Sequence, residues 1–311
     1  MNNYNITCGD IKYIILEHAA FYAWLASSEV IIGVLTIIFN AVYLISMYKY
    51  STKLSVADTL YIMLSVSDLL TGSLFVLPLT GVQIFAAYGQ ASCFLNDFAV
   101  INGSMLGAMS GIIICFITVD LFLSLHYPFI YENWFTSKRA VFIILAIFIT
   151  LASTTITTRR TSLKAHRIFE LFMSANVGVL CILMFLMHYA IHQELQRLYT
   201  RERKLNITPS ENVKYQKKGK KLGLKMLITL LVCYIPIATY FVTVLFADKS
   251  QHYIYYMEDL SYLIFCLNPL LDPFIYYFRL KRIRSRIRRL FSRNVKTEAW
   301  INHSLTQVNT R

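Results

Sequence analysis

Charge is the scarcest commodity in this sequence. Only 15% of the 311 residues are Asp, Glu, Lys or Arg, against 56% hydrophobic, and uncharged runs of about 20 residues recur along the chain. So little charge cannot clothe a water-facing surface of this size, which excludes a soluble secreted enzyme and a nuclear factor and assigns the chain to a membrane. Cysteine is sparse as well. The six are Cys8, Cys93, Cys115, Cys181, Cys233 and Cys266, four of them inside apolar runs and none in a CxxC pair, so neither a metal site nor a dense disulfide framework is implied. The chain lacks HExxH, GxSxG and any glycine-rich phosphate loop, so no enzyme is expected. Met1 to Ala23 lacks a basic segment leading to a small-residue cleavage site, so no cleavable signal peptide is expected.

What is present is a set of seven apolar spans. They run over about 24–48, 59–85, 93–125, 139–157, 169–192, 224–246 and 255–278, with Pro78, Pro236 and Pro273 expected to break the helices locally. The fold class is therefore all-α, a seven-transmembrane helix bundle. The 30 Lys and Arg exceed the 17 Asp and Glu, but the surplus sits between and after the spans, which is the mark of membrane topology and not of a nucleic-acid face. With seven spans the two termini lie on opposite sides. Lys12, Arg159, Arg160, Lys164, Arg167 and Lys249 fall on one side and the other 24 of 30 on the opposite one, so the N-terminus is expected outside. Asn5 of Asn5-Ile6-Thr7 is then the one usable glycosylation acceptor. The chain divides into an extracellular N-terminus at 1–23, the bundle at 24–278, an amphipathic helix at 279–291 and a disordered cytoplasmic tail at 292–311. Leu280, Ile283, Ile287, Leu290 and Phe291 keep one face of the third segment apolar among arginines, so it is expected to lie on the lipid headgroups of the inner leaflet.

An ionised group within hydrocarbon is costly, so the acids inside the spans are functional candidates. Those to explain are Glu29, Asp68, Asp120 and Asp272. Asp68 and Asp272, with Asn40, Ser110 and Asn268, supply oxygens that could hold a small hard cation. The same residues would equally form a buried hydrogen-bond network with one carboxyl protonated. Catalysis by paired aspartates is a third possibility, for which nothing specific speaks.

The order and spacing of five motifs resemble the rhodopsin-like (class A) G-protein-coupled receptors over about Trp24 to Phe291. Gly33 to Asn40 is similar to the family's G-N signature, Leu64-Ser-Val-Ser-Asp68 to LxxxD, and Thr118-Val-Asp120-Leu121 through His126-Tyr-Pro128 to the DRY region. Cys233-Tyr234-Ile-Pro236 is similar to CWxP, and Asn268 through Asp272-Pro273-Phe-Ile-Tyr276 to the N-x-x-x-[ND]PxxY ending. The resemblance implies an allosteric sodium pocket at Asp68, Ser110, Asn268, Asp272 and Asn40, with no other metal or cofactor. It implies an activation switch at Asp120, Leu121, Tyr189, Tyr234, Pro236 and Tyr276. It also implies a plasma-membrane location, an extracellular ligand, heterotrimeric G-protein as the intracellular partner, and arrestin besides.

Departures from the pattern carry as much weight. Leu121 stands where DRY has arginine, and a leucine cannot make that residue's charge-assisted bonds to the G-protein. A receptor-like protein that does not activate G-proteins is thus the alternative reading. An ion-coupled transporter is a more distant one, since internal repeats are lacking. The family's extracellular disulfide has no cysteine to use between Arg159 and Glu170; Cys93 would pair with Cys8, or both would be free thiols. The short, cysteine-free segment after the fourth span, the absence of proline from the fifth and the Asp272-Pro273 ending resemble the melanocortin and adenosine receptors.

The ligand is narrowed only by exclusion. Tyr255 to Phe278 holds no lysine for a retinal Schiff base, and Gly103 occupies the place of an amine-binding carboxylate in the third span. Gly103, Gly107 and Gly111 share a helix face, for close packing or for a roomier pocket. Glu29, Glu170, Tyr240, Phe241, Glu258, Asp259 and Tyr262 are the candidate pocket residues for a peptide or small molecule, aromatic walls with carboxylates that could receive a cationic one, whereas Arg159, Arg160, Lys164 and Arg167 would suit an anionic or lipid ligand.

Overall fold

The computed structural model describes residues 19–50, 54–90, 92–161, 163–204, 211–246, 253–279, 284–285 and 287–288. Asn5, Cys8 and most of the expected amphipathic segment and tail lie outside these. The described elements are α1 (Ala19–Tyr50), α2 (Val56–Thr71), a π-helical segment (Gly72–Val76), α3 (Leu77–Ala87), α4 (Cys93–His126), α5 (Pro128–Trp134), α6 (Ser137–Thr161), α7 (Leu163–Lys204), α8 (Glu211–Phe246), α9 (Tyr253–Phe265) and α10 (Leu267–Arg279). Among the described residues six helical stretches are long and apolar enough to cross a membrane, α2 through α3 counting as one, and α9 with α10 makes the seventh crossing in two pieces. The protein is thus an all-α, seven-helix membrane bundle.

Local chemistry sets the ends. Ser55 caps α2 reciprocally: Asp58 N–H donates to Ser55 Oγ at 3.1 Å and Ser55 N–H to Asp58 Oδ2 at 3.3 Å. The turn after α3 closes on Gly89 at φ 67°, a conformation that costs glycine nothing, with Gln90 N–H returning 2.8 Å to Phe85 O. We refer below to this Gly89 end of the bundle and to its opposite, the α5 end.

Three features depart from expectation. Gln193 to Gly223 reads as a polar separator, yet α7 continues to Lys204 and α8 begins at Glu211. Hydropathy marks where lipid stops; Lys, Arg, Glu and Gln are good helix formers, so the helix continues into water. His126-Tyr127-Pro128 reads as a turn, yet Pro128 starts the short helix α5, where its missing N–H costs nothing. The proline breaks are the third. Pro236 and Pro273 lie inside unbroken helices, and the seventh span is interrupted at Cys266 instead. The second span does deform ahead of Pro78, through the π segment, whose wide turn is closed by Leu77 N–H on Gly72 O. One extra residue in a turn rotates α3 about 100° relative to α2.

α4 packs against the second, fourth, fifth and sixth spans, and the bundle closes where α10 meets α1 and α8. The largest core cluster joins Tyr43, Leu60, Leu64, Ile113, Ile117, Met184, Leu222 and Met226 toward the α5 end. On the outside, Phe142, Ile149, Ile182, Phe185, Val232 and Ile235 are exposed, as a lipid-facing surface requires. The hydroxyls of the fourth span return to their own helix: Thr150 donates to Ala146 O at 3.0 Å, Thr154 to Thr150 O at 2.9 Å and Thr157 to Ser153 O at 2.7 Å. No donor is then left facing lipid at those positions.

Candidate functional site

The centre of the bundle holds a polar knot. Asn40, Ser65, Asp68 and Asp272 are fully buried, and Ser110 and Asn268 nearly so. Pro273 lacks the N–H that would bond Pro269 O four residues earlier, so that carbonyl is left over within α10. Asn40 of α1 takes it up, its Nδ2 donating to Pro269 O at 3.1 Å and to Thr36 O at 3.0 Å. Asn268 Nδ2 donates to Ser110 Oγ at 3.3 Å and so ties the seventh span to α4.

The two carboxyls are treated differently. All four oxygens of Asp68 and Asp272, and Oδ1 of Asn268, have no hydrogen-bond partner. The two groups lie near enough for their charges to interact. Buried carboxylate oxygens are normally bonded, so five orphan oxygens in one place fit a hard cation held by carboxyl, amide and hydroxyl oxygen. Asp68, Ser110, Asn268 and Asp272 are thus gathered in one place, with Asn40 alongside as the link to Pro269.

Toward the Gly89 end the glycine stripe is packed at Gly103 and Gly107, while nothing lies within 4 Å of a methyl added at Gly111. A methyl group on Gly103 would come within 2.6 Å of the Phe75 ring, and Gly107 is covered by Phe265. Tyr234 of α8 donates its hydroxyl to Gly107 O and meets Phe265 edge-on at 5.0 Å. Phe75 in turn meets Phe265 and Tyr262 at 5.7 and 6.0 Å. The roomier pocket considered for this face is therefore filled by aromatic rings at Gly103 and Gly107.

The expected ligand residues come from the first, fifth, sixth and seventh spans. Glu29 is fully buried; Tyr240 and Phe241 pair with each other on α8 at 5.4 Å; Glu258 is half-buried and the Glu170 side chain lies outside the described set. Sequence reasoning left Gln83 out, although its Nε2 donates to Asp259 Oδ1 at 3.0 Å across the second and seventh spans. Its position follows from the π segment, which the sequence signals only through Pro78. Cys93, at the first turn of α4, is disulfide-bonded, while Cys115, Cys181, Cys233 and Cys266 are free.

At the α5 end, Tyr131 donates to Asp120 Oδ1 at 3.0 Å, so α5 is pinned to α4. Leu121 lies over Gly219 of α8, where an added methyl would meet Leu121 Cδ1 at 3.2 Å. An apolar contact closes the sixth span where an arginine would have stood. Tyr189 is more than half exposed, and the Tyr276 side chain lies outside the described set. The inward residue of the fifth span is its neighbour His188, which sequence reasoning also missed. Its Nδ1 lies 2.9 Å from Met184 O, and Nε2 faces Gly223 without a partner.

Seven membrane-crossing helices thus surround a buried polar centre, with a helix interruption in the seventh. The family model described as the 7 transmembrane receptor (rhodopsin family) matches residues 39–276. The chain belongs to that family, and so to the multi-pass signal-transducing receptors of class A. Comparison with individual curated proteins finds no match.

Proposed function

We propose that the chain converts binding of an extracellular ligand, a peptide or small molecule, into activation of a heterotrimeric G-protein at the α5 end. The observation that carries this is the contact of Leu121 with Gly219. It holds the sixth span against α4 without a salt bridge, so opening that end costs only an apolar contact and no buried charge is stranded. Sodium held by Asp68, Asp272, Asn268 and Ser110, with Asn40 fixing Pro269, favours the closed arrangement, because opening displaces the seventh span that carries two of those residues. Tyr234 on Gly107 and Tyr131 on Asp120 are the hydrogen bonds that exchange during the shift, with Pro236, Tyr189 and Tyr276 at the moving ends.

The N-terminus is extracellular and the receptor sits in the plasma membrane, which the excess of Lys and Arg beyond the α5 end supports. Asn5 carries a glycan, and Cys8, the remaining cysteine, ties the N-terminal segment to Cys93. Residues 279–291 lie on the inner leaflet, and arrestin engages the same face after activation. Within class A the kinship runs toward the melanocortin and adenosine receptors, supported by the missing cysteine between Arg159 and Glu170, the absence of proline from the fifth span and Asp272-Pro273.

Leu121 itself favours a second reading, a receptor-like protein that binds ligand without activating G-proteins. The deciding experiment measures basal and tissue-extract-stimulated G-protein dissociation in cells expressing wild type or Leu121→Arg at matched surface level, across several Gα classes. Wild-type activity is the expected result. Silence in wild type with activity in Leu121→Arg supports the second reading. Sodium-driven uptake of a solute by the wild type would point to a transporter instead.

A further inference from the structure

A second acidic centre, with Glu29 buried and Asp259 half-buried, lies across the Cys266 interruption from Asp68 and Asp272. Glu29 of α1 is 0% exposed, and neither of its carboxyl oxygens has a hydrogen-bond partner. Along α1 it stands one turn from Leu25, which packs with Tyr22 and Ala86, and one turn from Gly33, which packs on Val76. It is thus walled by apolar groups on both sides. Across the bundle, the Asp259 carboxyl is near enough for the two charges to interact, and Gln83 holds one of its oxygens.

Neither protonation state of Glu29 is satisfied as it stands. Ionised, it has two desolvated oxygens and a negative neighbour; protonated, its hydroxyl still lacks an acceptor. What such a pair lacks is a donor-rich positive group. Gln83 turns its amide nitrogen, a donor, toward Asp259, so the pair has few of the several oxygens a hard metal ion takes, and an organic cation suits the place better. Aromatic residues stand about one turn from Asp259 on either side along α9: Tyr256, which meets Phe21 edge-on at 4.9 Å, and Tyr262, which meets Phe75 at 6.0 Å. At the level of Gly103 the third span offers no acid, and Phe75 fills the space there; Asp97 stands nearly two turns away along α4.

We propose that Glu29 and Asp259 together bind the guanidinium or ammonium group of the receptor's ligand, with Gln83 positioning Asp259 and the neighbouring aromatics receiving an adjoining ring. This rests on the receptor reading above and assigns its ligand a chemical class. A guanidinium is the better match, since its planar fork of donors can serve two carboxyls at once. Because Glu29 belongs to the first span and Asp259 to the seventh, the bound cation would draw together the two helices that close the ring, on the opposite side of Cys266 from the sodium-binding residues.

The test uses the purified full chain in nanodiscs, in potassium chloride without sodium or any organic cation, and reads the thermal unfolding midpoint. The probe is 2-phenylethylguanidinium, titrated up to the order of 10 mM, with neutral 2-phenylethylurea as its isostere. The expected result is a saturable rise with the guanidinium and none with the urea, retained in Asp68→Asn. Glu29→Gln and Asp259→Asn should each weaken the apparent affinity roughly tenfold or more, as expected when one partner of a buried charge pair is removed. Glu29→Gln should also raise the midpoint without probe, which shows that the variant is folded. An equal response to the urea, full retention in both Glu29→Gln and Asp259→Asn, loss in Asp68→Asn alone, or no response to the guanidinium overturns the proposal. Binding is read without any G-protein, so a receptor that proves silent in cells leaves this result standing, and a failed probe leaves the signalling reading standing.

Discussion

Asp68→Asn is the substitution whose consequence can be worked furthest. In the wild type, four carboxyl oxygens of Asp68 and Asp272 and Oδ1 of Asn268 are buried without partners, so sodium gains the full interaction of those groups when it enters. For a dissociation constant on the order of 10–100 mM, replacing choline by about 150 mM sodium stabilises the fold by about 0.5–1.6 kcal/mol through mass action. In a domain of this size that raises the unfolding midpoint by roughly 1–5 °C. Asp68→Asn removes one charge and introduces an amide donor that can reach Asp272, a bond to a charged acceptor worth about 1.5–3 kcal/mol. The variant should therefore unfold at a higher temperature than wild type in choline and show no further gain in sodium. Agonist binding should lose its sodium sensitivity in the same variant. The assay is thermal unfolding of the purified chain at constant ionic strength, choline against sodium. A wild type indifferent to the cation, or an Asp68→Asn variant that keeps the full sodium response, would refute the cation site and leave a buried hydrogen-bond network as the reading of these residues.

Three further outcomes follow from single contacts. Gly103→Ala places a methyl 2.6 Å from a Phe75 ring that has no room to retreat, and overpacking of this kind costs about 1–3 kcal/mol, visible as a lower unfolding midpoint that Phe75→Leu should partly restore. Asn40→Ala leaves Pro269 O buried without a donor and should destabilise by about 1–3 kcal/mol, whereas Asn40→Ala combined with Pro273→Ala should recover part of that loss, because the new N–H at 273 can bond the carbonyl. Tyr131→Phe deprives Asp120 of its hydroxyl partner and loosens α5 from α4; basal G-protein dissociation should rise, and an unchanged basal level with normal surface expression counts against Tyr131 as a restraint.

Composition alone was enough to read the membrane and the helical bundle, because hydrocarbon admits few solutions for the backbone and each span needs about 20 apolar residues. What hydropathy reports is the edge of the lipid, so it missed the water-exposed turns of α7 and α8 and the whole of α5. The polar centre was legible for a similar reason: an acid in an apolar run has to be explained, and Asp68 and Asp272 stand out in one dimension. The partners of those acids were less so. Gln83 reaches Asp259 only because the π segment turns α3 onto a different face, and no residue in Gly72–Val76 marks that extra turn by type. His188 was hidden by its neighbour Tyr189, since one residue of helix, about 100°, separates a buried position from a lipid-facing one. The glycine stripe was ambiguous because missing side chains are read equally well as a cavity or as room for a ring supplied from elsewhere, and Phe75 decided it.

The seventh span gathers what the rest of the bundle avoids. Asp259 lies on one side of its interruption at Cys266 and Asp272 on the other; each faces an acid from another span, Glu29 in the first case and Asp68 in the second. Between them, the helix that would resist relative movement of its two halves is broken, and Cys266 N–H still reaches Tyr262 O at 2.9 Å, so the break costs little backbone bonding on its Gly89 side. Below the break, Pro273 has removed another rung, and the freed carbonyl is bonded to Asn40 of α1 instead of to its own helix. A helix weakened at two levels and holding half of each acidic pair is the element whose position a cation at either site would bias most. The aromatic contacts of Phe265, one residue before the break, with Phe75 and Tyr234 carry that bias to the second and sixth spans. Packed rings of this kind settle in discrete arrangements rather than deforming continuously, which is what a signalling shift between two states requires.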